Sequence, residues 1–222
     1  MSTARPADPP VRDAATVVVL RDAATRPRVL MGQRGAAAAF MPSKFVFPGG
    51  AVDPGDAEVP LAAPLAPACA ARLGTDAPRL TAAAIRELWE ETGLPLGTPG
   101  RWPAPVPPDW QGFAARGLTP TATGLSYIFR AITPPGRPRR FDARFFLVDA
   151  DRLAADLDDF SAACEELAHL QWIPLDEARR FDLPFITEVV LAEVAALAAG
   201  EPLDSVPFFD NSGEDSVFCR IP

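Results

Sequence analysis

The segment 81–92, TAAAIRELWEET, has the clearest helical pattern in the chain, with Thr81 as a possible N-cap and Gly93 where a C-terminal cap belongs. Glu87, Glu90 and Glu91 follow an i, i+3, i+4 spacing, which places all three carboxylates on one helical face. They also lie at the helix C-terminus, where each unfavourable contact with the helix dipole costs about 0.3 to 1 kcal/mol. The pattern predicts either an acidic face exposed to solvent or a site for a hard divalent cation.

Short apolar runs on both sides of this helix indicate strands. A hairpin is predicted over 15–22 and 26–34, a short strand over 45–47, and two longer strands over 124–134 and 139–149. The segment 170–180 reads as a strand that leads into a helix. Three further helices are predicted: a short one at 67–73, a small amphipathic one within 94–117, and a long amphipathic one at 184–199, before Gly200. The alternation of strands and helices favours one α/β domain over 15–222, preceded by a mobile tail at 1–14, while the last twenty residues match no element.

Composition narrows the classes of function. The net charge of −8 disfavours binding to a nucleic-acid polymer, which normally requires a basic face. No apolar run is long enough to span a membrane, and the first residues lack the apolar stretch of a secretory signal, so we expect a cytoplasmic protein without a membrane partner. Three widely spaced cysteines do not form the pattern of a disulfide framework or a metal knuckle.

A glycine-rich turn, FPGGAVDPGD at 47–56, precedes the acidic helix and carries Asp53 and Asp56. Its glycines allow backbone and a phosphate or metal to approach closely. Together with RELWEETGL at 86–94, this turn resembles the signature of the Nudix hydrolases. Gly50 and Asp56 match its opening, with Asp where the family usually has Glu, and every defined position of its close matches from Arg86 to Leu94. The departure is the long spacer at 57–85, which we interpret as an insertion at about 57–80.

The resemblance implies a Nudix-type α/β/α sandwich with a mixed β-sheet between helices. It also implies hydrolysis of a phosphoanhydride in a nucleoside diphosphate linked to another group, with Mg²⁺ or Mn²⁺ as cofactor. The ligands that the resemblance implies for the metal are Glu87, Glu90, Glu91 and the carbonyl of Gly50. Arg86 would orient the glutamates by charge-assisted hydrogen bonds.

Two strings outside the signature, AAFMPSKFVFPGG and RRFDARFFLV, are similar to the large-insert Nudix branch related to the peroxisomal coenzyme A diphosphatases. This similarity implies coenzyme A or acyl-CoA as substrate class. EELAHLQWIPLDEA is also similar to a family segment that supplies another acid, a position that Glu166 or Glu165 would fill. The general base stays open among Glu91, Glu90 and Glu166. Whether Asp56 reaches the metal is also open.

Several basic and aromatic residues outside the signature are candidates for contact with a small nucleotide-type substrate. The basic candidates lie in or beside predicted strands: Arg34, Lys44, Arg139, Arg140 and Arg144. Each could instead be a solvated surface charge. Trp102 and Trp110 would stack on a base or pack the Pro-rich stretch, and His169, the single histidine, fits a structural role better than a catalytic one.

Three alternatives remain. The substrate could be ADP-ribose, NADH or a nucleoside triphosphate; the fold could serve as a ligand sensor without turnover; or the acidic helix could be merely solvated. The sequence leaves open whether the protein is a monomer or a homodimer.

Overall fold

The computed structural model of the protein describes residues 8–103, 105–213 and 215–222. Its strands, β1 to β11, are Val11–Arg21, Arg28–Arg34, Phe45–Val46, Gly49–Ala51, Gly97–Pro99, Leu118–Pro120, Ser126–Ile132, Arg140–Asp149, Leu167–Pro174, Val206–Asp210 and Val217–Ile221. Its helices, α1 to α4, are Pro67–Leu73, Ala77–Thr92, Gln111–Ala115 and Phe185–Ala198. No helix among the described residues is long and apolar enough to cross a membrane.

The main sheet is mixed and has the strand order β11-β10-β7-β8-β1-β2-β3. Strands β1 and β8 are parallel over a long register, and β7 and β10 are also parallel, while the other neighbours along this order are antiparallel. On the edge opposite β8, β1 pairs with two different strands along its length. Leu20 and Arg21 pair with β2, whereas residues 14–16 pair with β4. Strand β9 pairs with β2, and β5 and β6 form a separate ribbon.

Helices cover both faces of this sheet, and β1 carries apolar side chains on both of its sides. Val17 and Val19 face the core that contains α2, and Val18 and Leu20 face the core that contains α4. Such a continuous apolar run is typical of a strand buried between two layers. The mixed sheet between helices is the expected α/β/α arrangement, so the predicted fold class is confirmed.

The acidic helix α2 is longer than its sequence pattern predicts. It begins at Ala77 rather than at Thr81, with Pro78 in its first turn, where a proline costs nothing. Thr81 is therefore not an N-cap, and its hydroxyl donates to the carbonyl of Ala77 at 2.6 Å. The predicted end is confirmed: Gly93 adopts φ +73° and its N–H donates to the carbonyl of Trp89 at 2.8 Å.

Residues 57–76 form a compact connection between the glycine turn and α2, so the last four residues of the predicted insertion belong to the helix. The helix α1 has the predicted bounds, Pro67–Leu73. Val59, Leu65 and Cys69 are buried in the core on the α2 face. Backbone bonds join residues 62–63 to 120–122, so this segment packs as part of the domain.

Both ends of the chain contain more structure than the sequence indicates. Strand β1 begins at Val11, so residues 11–14 belong to the sheet rather than to the expected tail, and residues 1–7 of that tail lie outside the described residues. The last twenty residues contain β10 and β11, which extend the sheet beyond β7. These strands are short, and they are interrupted by Pro207 and by the polar turn after Asp210. Their alternation of apolar and polar residues is therefore not recognisable from the sequence.

Candidate active site

The C-terminal half of α2 lies directly against the glycine turn that forms β4. A Cβ atom built on Gly50 would lie 2.5 Å from the carboxylate carbon of Glu87, so only glycine fits beside this side chain. The backbone N–H of Gly49 donates to Oε2 of Glu91 at 2.7 Å. The turn and the helix therefore fix each other, and two glutamates meet the backbone of β4.

Arg86 is the centre of a buried ion-pair network. Its guanidinium group holds Asp56 with two hydrogen bonds, of 2.9 and 3.0 Å. Nη1 of Arg86 also donates to Oε1 of Glu87 at 2.9 Å and to Oε2 of Glu90 at 3.0 Å, and Nη2 donates to the carbonyl of Ala51. One arginine thus donates hydrogen bonds to two of the three glutamates.

Asp56 is a partner of Arg86 and has no oxygen free for a metal. One of its oxygens accepts from Nε of Arg86, and the other accepts from Nη2 and from the N–H of Asp53. The side chain is 2% exposed. Asp56 is therefore bound to Arg86 and to the backbone of Asp53.

Burial raises the pKa of all three glutamates. It raises the pKa of Glu87 to about 7, against the lowering effect of Arg86. It also raises the pKa of Glu90, again against Arg86, and that of Glu91 well above its ordinary value, with the charge of Glu87 adding to the effect. Because carboxylates crowded in a poorly solvated place repel one another, a bound cation would stabilise their charged forms.

Each of the three glutamates keeps one oxygen without a protein hydrogen bond among the described residues: Oε2 of Glu87, Oε1 of Glu90 and Oε1 of Glu91. Oε1 of Glu91 is fully buried without a partner. Among the described residues, no group of three or more His, Cys, Asp or Glu side chains is arranged to hold a metal ion, and Arg86 pairs with both Glu87 and Glu90. The oxygen donors, the orphaned Glu91 oxygen and the glycine cradle nevertheless match what a hard divalent cation requires.

A cleft of about 910 Å³ lies on the α4 side of the sheet, and it meets the glutamate cluster only through the backbone of the glycine turn, since Arg86 and the three glutamates do not line it. Its wall includes residues 49–51 of β4, Arg34 at the end of β2, Lys44 and Glu166. Its floor is formed by the face of β1 and β8 that carries Ala14, Thr16, Ala143 and Phe145. No residue of 57–80, all of which the structure describes, lines this cleft. The insertion therefore leaves the cleft open.

The structure distinguishes Glu166 from Glu165. Glu166 lines the cleft, is exposed, and receives one hydrogen bond of 2.9 Å from Arg34 on Oε1, while Oε2 has no partner among the described residues. Its charge adds to the raised pKa of Glu87 and of Glu91. Glu165 lines a separate surface hollow. Of the two acids, Glu166 is the one in position to act in the cleft.

The predicted substrate contacts divide into two groups. Arg34, Lys44 and Arg139 line the cleft, although Lys44 is also paired with Asp182. Arg140 and Arg144 do not line it. Arg140 donates to the carbonyls of Thr133 and Asn211, and Arg144 is buried against Asp13 and Asp142. Arg140 and Arg144 are therefore not candidates for substrate contact, because their guanidinium groups bond elements of the fold to one another.

The remaining candidates, Trp102, Trp110 and His169, lie outside the cleft. Trp110 is buried against Phe113 and Trp102, and the indole N–H of Trp102 donates to the carbonyl of Leu118 at 2.7 Å. His169 is exposed at the bulge of β9, with φ +52°. None of these three residues lines the cleft.

Two basic residues of the cleft escaped the sequence reasoning, Arg12 and Arg137. Arg12 falls in the segment interpreted as a tail, and Arg137 lies in the turn between two predicted strands. Because Arg137 lies before the first residue of β8 and the adjacent Pro138 also lines the cleft, strand alternation does not identify it.

Comparison with known proteins gives a consistent result. A crystal structure of a NUDIX hydrolase from Alicyclobacillus acidocaldarius is 32% identical, with 87% of this chain and 93% of that chain covered and a TM-score of 0.61. The curated "Putative nudix hydrolase 7" of Caenorhabditis elegans is 32% identical over 174 residues, which are 73% of this chain and 51% of the relative. This chain thus spans about half the length of that relative.

The crystal structure of a MutT protein from Methanosarcina mazei is similar in fold, with 16% identity, a TM-score of 0.50 and coverage of 88% of this chain and 99% of that one. No family model matches the chain.

Proposed function

The chain belongs to the Nudix hydrolase family, and on that premise we propose that it hydrolyses a phosphoanhydride bond in a nucleoside diphosphate linked to a further group. The proposed metal ligands are Glu87, Glu90, Glu91 and the carbonyl of Gly50, and the proposed cofactor is Mg²⁺ or Mn²⁺. The observation that carries the proposal is the set of three glutamates, each with one uncommitted oxygen, beside the backbone of Gly50.

A divalent cation held by these oxygens supplies Lewis-acid chemistry, since it polarises phosphoryl oxygens and lowers the pKa of a bound water. The protein's own part is positioning. Arg86 holds Glu87 and Glu90 in place, and Asp56 holds Arg86. The N–H of Gly49 fixes Glu91.

Among the three candidates for the general base, the geometry favours Glu166. Glu90 is bonded to Arg86, and Glu91 is buried against Gly49, whereas Oε2 of Glu166 is free within the described structure and reaches the cleft. Oε2 of Glu166 would accept the proton of the attacking water, whose oxygen bonds to phosphorus as the anhydride P–O bond breaks. Arg34 orients Glu166 through its hydrogen bond to Oε1, and Arg34 and Lys44 would meet the phosphates.

Coenzyme A or an acyl-CoA is the substrate class that we propose to test first. The cleft volume of about 910 Å³ suits a large nucleotide-type ligand, and its floor offers apolar surface beside the basic residues. ADP-ribose, NADH and nucleoside triphosphates are the rival substrates, and binding without turnover is the rival role.

The test is incubation of the protein with Mg²⁺ or Mn²⁺ and coenzyme A, acetyl-CoA, ADP-ribose, NADH or a nucleoside triphosphate, with products identified by mass. We expect cleavage at the diphosphate, and a loss of turnover on the order of 10²- to 10⁴-fold in Glu90→Gln. Glu201→Gln, at an exposed residue away from the cleft, is the matched control. Turnover of Glu90→Gln equal to that of the control would contradict the metal-site assignment.

A further inference from the structure

The far end of the cleft carries three arginines that the proposed reaction does not use. We propose that Arg12, Arg137 and Arg139 form a second anion-binding subsite, which holds a phosphate or carboxylate of the substrate outside the cleaved diphosphate. The inference rests on the proposed function for the identity of the substrate, but the subsite stands on its own geometry.

The first residues of β1 and the turn before β8 bring these residues to one end of the cleft. Side chains along a strand alternate between the two faces of the sheet. Within β8, residues 141, 143 and 145 line the cleft, whereas Arg140, Asp142 and Arg144 are buried in contacts elsewhere, and the turn residues 137–139 line the cleft directly before the strand. Arg12 pairs with Phe141 in the parallel register of β1 and β8, so it lies beside that row.

The three arginines have almost no carboxylate partners among the described residues. Within the described residues, Arg137 and Arg139 have no carboxylate within 4 Å, and Arg12 reaches only Asp53, at 3.9 Å and with both side chains more than half exposed. One acid, Asp8, meets the turn through the N–H of Gly136 at 2.8 Å and so fixes the backbone next to Arg137. Unpaired cations gathered in one cleft of a chain with net charge −8 indicate an anionic ligand.

The position of the cluster separates it from the reaction centre. Gly50 pairs with Ala15, which pairs with Arg144. Arg12 is three residues from Ala15 along β1, and Arg139 is five residues from Arg144, so the cluster lies roughly 10 to 16 Å along the strands from Gly50 at about 3.3 Å per residue. The backbone of the cluster is therefore displaced along the sheet from the glycine turn.

The floor next to the arginines is aromatic. Phe40 and Phe141 pack edge to face with centroids 5.2 Å apart, and both line the cleft. A flat or apolar part of the ligand fits against these rings, between the two anionic ends. The ligand chemistry is therefore an elongated molecule with a diphosphate at one end and a second anion at the other.

Two parts of such a ligand could carry that anion, a phosphate on the nucleoside or a carboxylate at the end of the attached group. Calorimetric titration of the full chain, with chelator present so that nothing is hydrolysed, distinguishes them. The first pair of ligands is 3′,5′-ADP and AMP, and the second is succinyl-CoA and acetyl-CoA. We expect wild type to bind the more anionic member of one pair about tenfold more tightly.

In Arg137→Ala/Arg139→Ala we expect that preference to disappear, while the affinity for the less anionic member stays the same. Arg179→Ala, at an exposed arginine outside the cleft, is the control and should keep the preference. Both substituted arginines are exposed, so folding should persist in the double variant, and circular dichroism checks it.

Equal affinities within both pairs, or no measurable binding of any of the four ligands, would overturn the subsite. Because the readout is affinity, this result is independent of turnover. Hydrolysis without any preference would refute the subsite alone, and a preference without hydrolysis would refute the proposed function alone.

Discussion

At the scale of single residues, the site depends on how one arginine and two glycines hold three glutamates. Arg86 is almost fully buried and satisfies Asp56, Glu87 and Glu90 together. Gly50 lets the strand pass next to Glu87 without a side chain between them, and the backbone N–H of Gly49 donates to Glu91. The positions of the carboxylates are therefore determined by contacts of the turn as much as by the helix.

Gly50→Ala tests this dependence. The new methyl group would lie 2.5 Å from the Glu87 carboxylate, so that side chain must move. A displacement of about 1 Å in a catalytic group costs on the order of 10²-fold in rate, and overpacking costs about 1 to 3 kcal/mol of stability. Steady-state turnover and urea unfolding measure the two effects.

Gly55→Ala is the matched control in the same turn, because a Cβ at Gly55 meets nothing within 4 Å. We expect turnover within about twofold of wild type in this variant, since surface substitutions have small effects. Equal turnover in both variants would show that the Gly50–Glu87 contact is irrelevant to activity.

At the scale of elements, α2 is bound to the sheet by a chain of ion pairs on the face opposite the cleft. Arg79 of α2 bonds Asp13 of β1 at 2.6 Å, Asp13 also pairs with Arg144 of β8, and Arg144 contacts Asp142. Asp142 in turn holds Arg130 of β7 at 2.6 Å. This chain keeps four elements in register at the end of β1 where β4 pairs.

Asp13→Asn should destabilise the fold, because it leaves the buried guanidinium of Arg144 with a weaker partner. We expect a loss of about 2 kcal/mol in the free energy of unfolding, measured in urea, with turnover per folded molecule unchanged. Asp176→Asn, which removes an exposed pairing with Arg26, should cost less than about 0.5 kcal/mol. Equal losses in the two variants would mean that the ion-pair chain contributes no stability.

The elements that the sequence predicts well are those whose signals are local. The acidic spacing and Gly93 define the end of α2, and α1 has its predicted bounds. The start of α2 was predicted four residues late, because a threonine can cap a helix or lie inside it, and only packing decides which. Strands β10 and β11 were missed because their stability comes from pairing with β7 and with each other rather than from a local period.

Dependence on strand pairing also explains why the sequence does not show which arginines face the cleft. Arg139, Arg140 and Arg144 look equivalent in the sequence, yet only Arg139 lines the cleft. Which face an arginine occupies depends on the register of β8 against β1, and a shift of one residue would exchange the two faces. The glutamates could be grouped from sequence because the helical period alone brings them together.

At the scale of the whole molecule, the crowded carboxylates link cation binding to stability. The folded state raises the pKa of Glu87 from 4.5 to about 7, chiefly by burial, so it binds this proton more tightly than the unfolded chain does. The resulting stability is fully present below pH 4.5 and is lost as the pH rises through about 7. A shift of this size corresponds to about 3 kcal/mol.

With chelator present, the free energy of unfolding should therefore fall between pH 4.5 and pH 8, and Glu87→Gln should show a smaller fall. At pH 8, adding Mg²⁺ or Mn²⁺ to wild type should restore stability, by about 2.7 kcal/mol at one hundred times the dissociation constant. The cation should stabilise Glu87→Gln less, because one ligand loses its charge. Urea unfolding at both pH values measures all these quantities. If neither cation changes the unfolding of wild type at pH 8, the three glutamates do not form a cation site.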